Sequence, residues 1–155
     1  MLYYTETGLS HAEVPGESAL CIYISGCPFR CKNCHYPELQ LPNYGTPLKK
    51  HYQDLIALYQ HQATCVCFLG EGANTKAEQE EFKEHVSYAK RCGLKTCLYS
   101  GRDTAIEQWM HLFDYIKLGS FQETRGPLDS VGTNQRMYRK TNQGYVDITS
   151  MFWAE

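Results

Sequence analysis

Cys27, Cys31 and Cys34 fall within eight residues, in the run Gly26-Cys-Pro-Phe-Arg-Cys-Lys-Asn-Cys-His35. Thiolates are the usual ligands of iron–sulfur clusters, and gaps of three and two residues let one short loop wrap a corner of a cubane. The grouping stops at three, because no fourth cysteine is spaced to join it. A [4Fe-4S] cubane held this way keeps one iron without a protein ligand, and an open coordination position is what metal catalysis needs. Two other readings stand beside this one. His35 can act as fourth ligand of a Cys3His zinc site in a binding module, although adjacent ligands at 34 and 35 make tetrahedral closure awkward and no second ligand pair follows. Alternatively, the three thiols share no role.

Eight cysteines in 155 residues also raise the question of a disulfide-stapled secreted domain. Against it stand the lack of a basic-then-apolar export pattern, a length sufficient for one unstapled core, and the crowding of three thiols in one loop. A cytoplasmic protein with a single domain over residues 1–155 is expected. Cys21, Cys65, Cys67, Cys92 and Cys97 sit in or beside apolar stretches and read as buried small hydrophobes. No apolar run approaches the roughly 20 residues of a membrane span. A formal charge of −2 gives no reason to expect nucleic acid as a partner.

The elements that must position the motif alternate in type. Leu20–Ser25 is β-rich and runs straight into Gly26 and the cysteines. Leu48, Tyr52, Leu55, Ile56 and Tyr59 are spaced as a helix from Pro47 to about Gln60, with Thr46 as cap. Thr64–Leu69 reads as a buried strand ending at Gly70. Thr75 and Glu78 form a capping-box pattern that opens a second helix, striped by Phe82, Val86 and Ala89 and closed at Gly93. Leu94–Tyr99 is a third strand, Asp103 caps a short helix carrying Ile106, Trp109, Met110 and Phe113, and Tyr115–Leu118 is a fourth strand. Tyr145–Ile148 is a possible last one. Strands alternating with helices imply a parallel sheet of the α/β class, and about four strands are too few to close a barrel, so an open, partial β/α barrel is expected. Residues 119–144 have little periodicity and read as a long functional loop. Glu78, Glu80, Glu81 and Glu84 read as a solvated helix face.

The cysteine spacing after the first strand resembles that of the radical-SAM superfamily. Cys27–Tyr36, Thr64–Gly70, Tyr99–Arg102, Phe113–Gly119, Gly126–Asp129, Thr133–Arg136, Asp147–Thr149 and Phe152-Trp153 are, in order, similar to segments of the compact activating proteins of anaerobic, glycyl-radical ribonucleoside-triphosphate reductase. The resemblance implies a radical-SAM fold and two cofactors, the [4Fe-4S] cluster and S-adenosylmethionine. It implies reductive cleavage of S-adenosylmethionine and hydrogen abstraction from a glycine of a large glycyl-radical enzyme subunit, with electrons from a low-potential donor such as flavodoxin. An activase of another glycyl-radical enzyme, of the pyruvate formate-lyase type, fits the same pattern.

The resemblance also implies site residues. Gly70, Glu71 and Gly72 occupy the place of a turn that binds the amino group of S-adenosylmethionine in relatives, with Glu71 where a second glycine is usual. Asn33 stands where many relatives carry an aromatic residue, so His35 or Tyr36 is expected to meet adenine. Tyr99, Ser100 and Arg102 fit contact with ribose or carboxylate, or else a plain strand end. Lys117 is either a solvent-facing strand residue or the counter-charge of a carboxylate. Asn134, Gln135 and Arg136 offer amide and guanidinium groups that can hold a partner's extended backbone, cap their own loop or hold S-adenosylmethionine.

Overall fold

The apolar strand that precedes the cysteines, β2 (Ala19–Ile24), lies inside the sheet and is almost wholly buried, as a strand covered on both faces must be. Three more strands lie parallel to it: β4 (Cys65–Leu69), β5 (Lys95–Tyr99) and β6 (Tyr115–Leu118). The fold is described by a computed structural model for residues 1–25 and 45–153. The cysteine motif, with His35 and Tyr36, lies outside the described residues.

The described residues form one mixed sheet of eight strands in the order β3-β1-β2-β4-β5-β6-β7-β8. Sequence periodicity found its parallel centre and missed its antiparallel flanks. β1 (Tyr3–Ser10) pairs with β2 and with the short β3 (Thr46–Pro47). Its residues are mostly half-buried, so they carry no clean two-residue alternation. On the other side β7 (Arg136–Thr141) pairs antiparallel with β6 and with β8 (Gly144–Asp147). The segment expected to be loop from 119 to 144 therefore ends in a strand. The architecture is an open α/β sheet with parallel strands at its centre.

The two faces of the sheet are covered differently. Leu20, Ile22 and Ile24 of β2, Val66 and Phe68 of β4, Leu98 of β5 and Ile116 of β6 pack under the helices. α1 (Tyr52–Tyr59) and α2 (Lys76–Arg91) contribute Tyr52, Ile56, Phe82, Val86 and Ala89 to that layer. α2 begins as its sequence requires, with the Thr75 hydroxyl accepting from the Glu78 amide and Glu78 reaching back to the Thr75 amide. α1 starts later than its spacing implied. Pro47 is used in β3, Leu48–Lys50 form a 3-10 turn, and Thr46 makes no cap. The expected helix after Asp103 is a 3-10 segment, Gln108–Leu112, with Glu107 rather than Asp103 at its N-terminus.

The acidic run of α2 is only half solvated. Glu80 and Glu84 are exposed, whereas Glu78 and Glu81 are buried. Glu81 accepts the backbone N–H of Leu2 (3.0 Å) and meets His85 Nε2 at 2.9 Å, so a long-range contact supplies the donors that its burial demands.

The opposite face carries a row of thiols. Cys21, Cys67 and Cys97 are direct register partners across β2, β4 and β5, followed by Tyr115 on β6. With Cys65, Val14, Leu128, Met137 and Ile148 they form a second apolar layer. Burial pushes the Cys65, Cys67 and Cys97 thiols up, and for Cys21 the neighbouring Cys67 thiol pushes hardest. These thiols stay protonated and behave as packing groups.

Glu17 pins the segment before β2 across this face. Its carboxylate accepts from Thr64 Oγ1 (2.7 Å), Lys95 Nζ (3.0 Å) and the Tyr115 hydroxyl (2.8 Å). Burial alone would raise its pKa, but the three donors outweigh burial and hold it below the usual carboxylate value. A group depressed on folding stabilises above its ordinary pKa, and that stability is lost as pH falls through the lowered value. Glu17→Gln should therefore cost about 1.5–3 kcal/mol near neutral pH, as expected for hydrogen bonds to a charged group. In urea titrations the deficit should shrink on acidification; a deficit constant with pH would mean that the ionised form is not what is stabilised.

Candidate functional site

Because β2, β4, β5 and β6 are parallel, their carboxyl ends share one edge of the sheet. Residue for residue, Tyr23 of β2 faces Leu69 of β4, Leu69 faces Tyr99 of β5, and Tyr99 faces Lys117 of β6. β2 runs out at Ser25, one residue before the segment that carries the cysteines. In parallel α/β sheets ligands bind outside this edge. Two glycines bring the neighbouring backbones together there. Gly70 has φ +116, and a Cβ on it would stand 3.1 Å from the Ile24 carbonyl oxygen. Gly119, at φ +111, would press a Cβ to 3.1 Å from Gln135 Cα. A side chain at either position would force the loops apart.

The loops after β4 and β5 are tied by charge. Arg102 donates through Nε to Glu71 Oε1 and through both terminal nitrogens to Glu107, at 2.8 Å from Nη1. Glu107 also accepts the Trp109 indole N–H (2.8 Å). Glu107, which no motif singled out, thus fixes the guanidinium that fixes Glu71. Its partner is only five residues away in the same loop, but neither residue belongs to a helix whose spacing would have pointed to the pair. Burial pushes the Glu71 carboxyl up, and Arg102 and the neighbouring Ser100 hydroxyl oppose that push. The hydrogen bonds from Arg102 leave Glu107 below its ordinary value. Glu71 is 3% exposed, and its Oε2 is among the few buried side-chain atoms without a hydrogen-bond partner in the described residues.

Lys117 is buried, which removes the solvent-facing reading. Its Nζ donates to the Gly119 carbonyl (2.8 Å) and to the Ser100 carbonyl (3.4 Å) and lies 5.6 Å from the centre of the Tyr99 ring. Tyr99 donates its hydroxyl to the Glu13 carbonyl, and burial holds its pKa well above the usual phenol value. Ser100 is fully buried and accepts the Arg102 N–H at 3.2 Å. Gly70, Glu71, Gly72, Tyr99, Ser100, Arg102 and Lys117 are therefore all brought to one edge, with Glu71 and Arg102 bonded to each other.

The Asn134–Arg136 triplet divides between the two faces. Asn134 donates to the Ser120 carbonyl (3.0 Å), and its Oδ1 is buried and unpartnered. Gln135 is buried and donates to the Gly119 carbonyl at 3.4 Å. Arg136 is 40% exposed in its side chain and lies 3.6 Å from Asp147. Among the described residues no group of three histidine, cysteine or acidic side chains could hold a metal ion. The expected ligands Cys27, Cys31 and Cys34 lie outside the described residues.

Residues 14–118 match the family model of the 4Fe-4S single cluster domain, more than half of the chain. The chain belongs to that family. The match starts before β2 and ends with β6, so it takes in the three-cysteine motif and all four parallel strands. No curated protein and no solved structure shows significant similarity to the chain. Among the described residues no helix is long and apolar enough to cross a membrane.

Removing Arg102 should expose how far the edge depends on this clamp. Arg102→Met leaves Glu71 buried without its cation and should cost on the order of 3 kcal/mol at neutral pH. Glu71 then favours its protonated form in the fold, so the deficit should narrow as pH falls. Adding Glu71→Gln should restore most of the loss in urea unfolding. No recovery in the double variant would show that the lost energy was Arg102 packing rather than the stranded carboxylate.

Proposed function

We propose that this chain is a radical-SAM activase that generates a glycyl radical on a large protein partner, most specifically anaerobic ribonucleoside-triphosphate reductase. The observation that carries the reading is the shared edge. A strand leading directly into a three-cysteine motif lies parallel to, and in register with, strands ending in Gly70–Gly72, Ser100–Arg102 and Lys117. Family membership supports the [4Fe-4S] cluster itself. In this reading β2, β4, β5 and β6 with their connections are the partial β/α barrel, completed by antiparallel strands on both sides.

The residues at the edge suit S-adenosylmethionine. Two carboxylates, Glu71 and Glu107, share the single guanidinium of Arg102, so the trio carries an excess negative charge when both are ionised. The unpartnered Glu71 Oε2 is an acceptor for an ammonium group. Gly70 and Gly72 let the loop after β4 close tightly on Ile24, Leu2 and Glu78, which fixes Glu71 at the edge. When bound, a reduced three-cysteine cluster supplies the electron that breaks the sulfonium bond, and the adenosyl fragment takes hydrogen from the partner's glycine. The chain's own contribution is placement. Direct hydrogen transfer depends on position rather than on acid–base groups, and Lys117, held by carbonyls and Tyr99, keeps a fixed positive charge beside the edge. A low-potential carrier of the flavodoxin type is the proposed electron source.

Anaerobic protein reduced in the presence of S-adenosylmethionine should release methionine and 5′-deoxyadenosine in equal amounts, slowly without a partner. Cys27→Ala, Cys31→Ala and Cys34→Ala should each abolish both products and the bound iron, while Cys65→Ala and Cys67→Ala retain the iron. Protein with a full cluster that leaves S-adenosylmethionine intact would sink the radical-SAM reading and favour electron transfer.

A further inference from the structure

Glu107 brings a second carboxylate to a guanidinium that already has one. Arg102 neutralises the buried Glu71 through Nε, and that pair alone meets what the burial of Glu71 requires. Glu107 then takes both terminal nitrogens of Arg102 and the Trp109 indole N–H. Trp109 is itself seated against Phe82 of α2 and against Phe113, at 5.9 and 6.3 Å between ring centres, so Glu107 has a fixed place. The Arg102 hydrogen bonds above all, helped by Trp109, hold Glu107 below its ordinary value and hence ionised. Burial pushes Glu71 up, and the charge of Glu107 adds to that push. A neutral amide at 107 would accept from Trp109 and Arg102 without opposing Glu71. What the carboxylate adds is charge.

That charge decides the sign of the edge. The loops after β4 and β5 carry Glu71, Asp103 and Glu107 against Arg102, and Lys117 at the end of β6 is the cation beside them. Asp103 is held low by the amide and hydroxyl of Ser120. Three carboxylates against two cations leave an excess of one negative charge, and Glu107 is the residue whose neutralisation cancels it. Such an excess separates ligands of one shape by charge. S-adenosylmethionine bears a sulfonium, whereas S-adenosylhomocysteine has the same adenosine and amino-acid parts and lacks only the methyl group and its positive charge. Backbone and apolar contacts treat the two nearly alike, and the field of the edge does not.

We propose that Glu107 is the specificity-determining charge of the edge, and that it makes the edge favour a sulfonium over the neutral thioether of the same skeleton. The inference rests on the radical-SAM reading and adds a residue and a selectivity to it. Glu107 uses its own oxygens on Arg102 and Trp109, so it acts through its charge and does not touch the ligand. Its side chain is 35% exposed, so its substitution leaves the packed layers in place.

Calorimetry on anaerobic, cluster-loaded protein kept oxidised reads affinity without turnover. The two probes are S-adenosylmethionine and S-adenosylhomocysteine, and iron content and a urea midpoint accompany each variant. Glu107→Gln and Glu107→Ser should each weaken S-adenosylmethionine by about five-fold, the scale of one partly screened charge, and leave S-adenosylhomocysteine nearly unchanged. Glu107→Asp keeps the charge and should keep the preference. Glu80→Gln removes a charge from an exposed position on α2 and should leave both affinities as they are. A structural role for Glu107 would weaken both ligands together, so an unchanged ratio of affinities in the two neutral variants would overturn the proposal alone. Unaltered protein that carries a full cluster and binds neither ligand would overturn the radical-SAM reading, and this selectivity with it.

Discussion

The parallel register of β2, β4, β5 and β6 is the constraint on which the rest depends. Parallel strands put all their carboxyl ends on one side, and every connection must leave from that side. In this chain those connections carry the three-cysteine segment, the Gly70–Gly72 turn, the Ser100–Arg102 loop and the Gly119 bend. A slip of one residue between β4 and β5 would exchange the thiol row with the helix-facing layer and turn Tyr99 away from Lys117. The register is held by two well-packed faces, aromatic and aliphatic under the helices and thiol-rich on the other side.

The buried polar groups tie loops to this frame. Glu17 fixes the segment before β2 to β4, β5 and β6 through Thr64, Lys95 and Tyr115. Glu81 fixes the amino-terminal end of the chain to α2. Arg102, between Glu71 and Glu107, fixes the two loops at the working edge. Glu17 and Glu81 are carboxylates whose burial is offset by several donors, the arrangement that gives a buried charge a single geometry. Glu71 differs, because its second oxygen is buried without a hydrogen-bond donor among the described residues.

What could be read from residues alone follows from locality. The four parallel strands and α2 were legible because burial on both faces, a capping box and a terminal glycine are short-range signals. β1 and β7 were not, since half-buried flanking strands alternate weakly and their pairing is set by distant partners. Glu81 looked solvated because its donors come from Leu2, 79 positions away, and from a histidine one turn on. The grouping of Gly70, Tyr99, Ser100 and Lys117 at one edge follows from strand order and was legible. The role of Glu107 was not, because it depends on how the irregular loop that also carries Arg102 folds between β5 and the 3-10 segment. The cysteine spacing pointed to an iron–sulfur site, and the family match over residues 14–118 agrees with it.

The central claim is a cluster held by three cysteines at the carboxyl ends of parallel strands, with one iron kept for a ligand that the Glu71 side receives. Mössbauer spectroscopy of the iron-57-enriched protein tests this directly, with and without S-adenosylmethionine. A single iron of the cluster should change its isomer shift when S-adenosylmethionine is added, while the cysteine-bound irons keep theirs. A spectrum in which all irons are equivalent and unmoved by S-adenosylmethionine would contradict the account, because it would mean a cluster fully ligated by the protein.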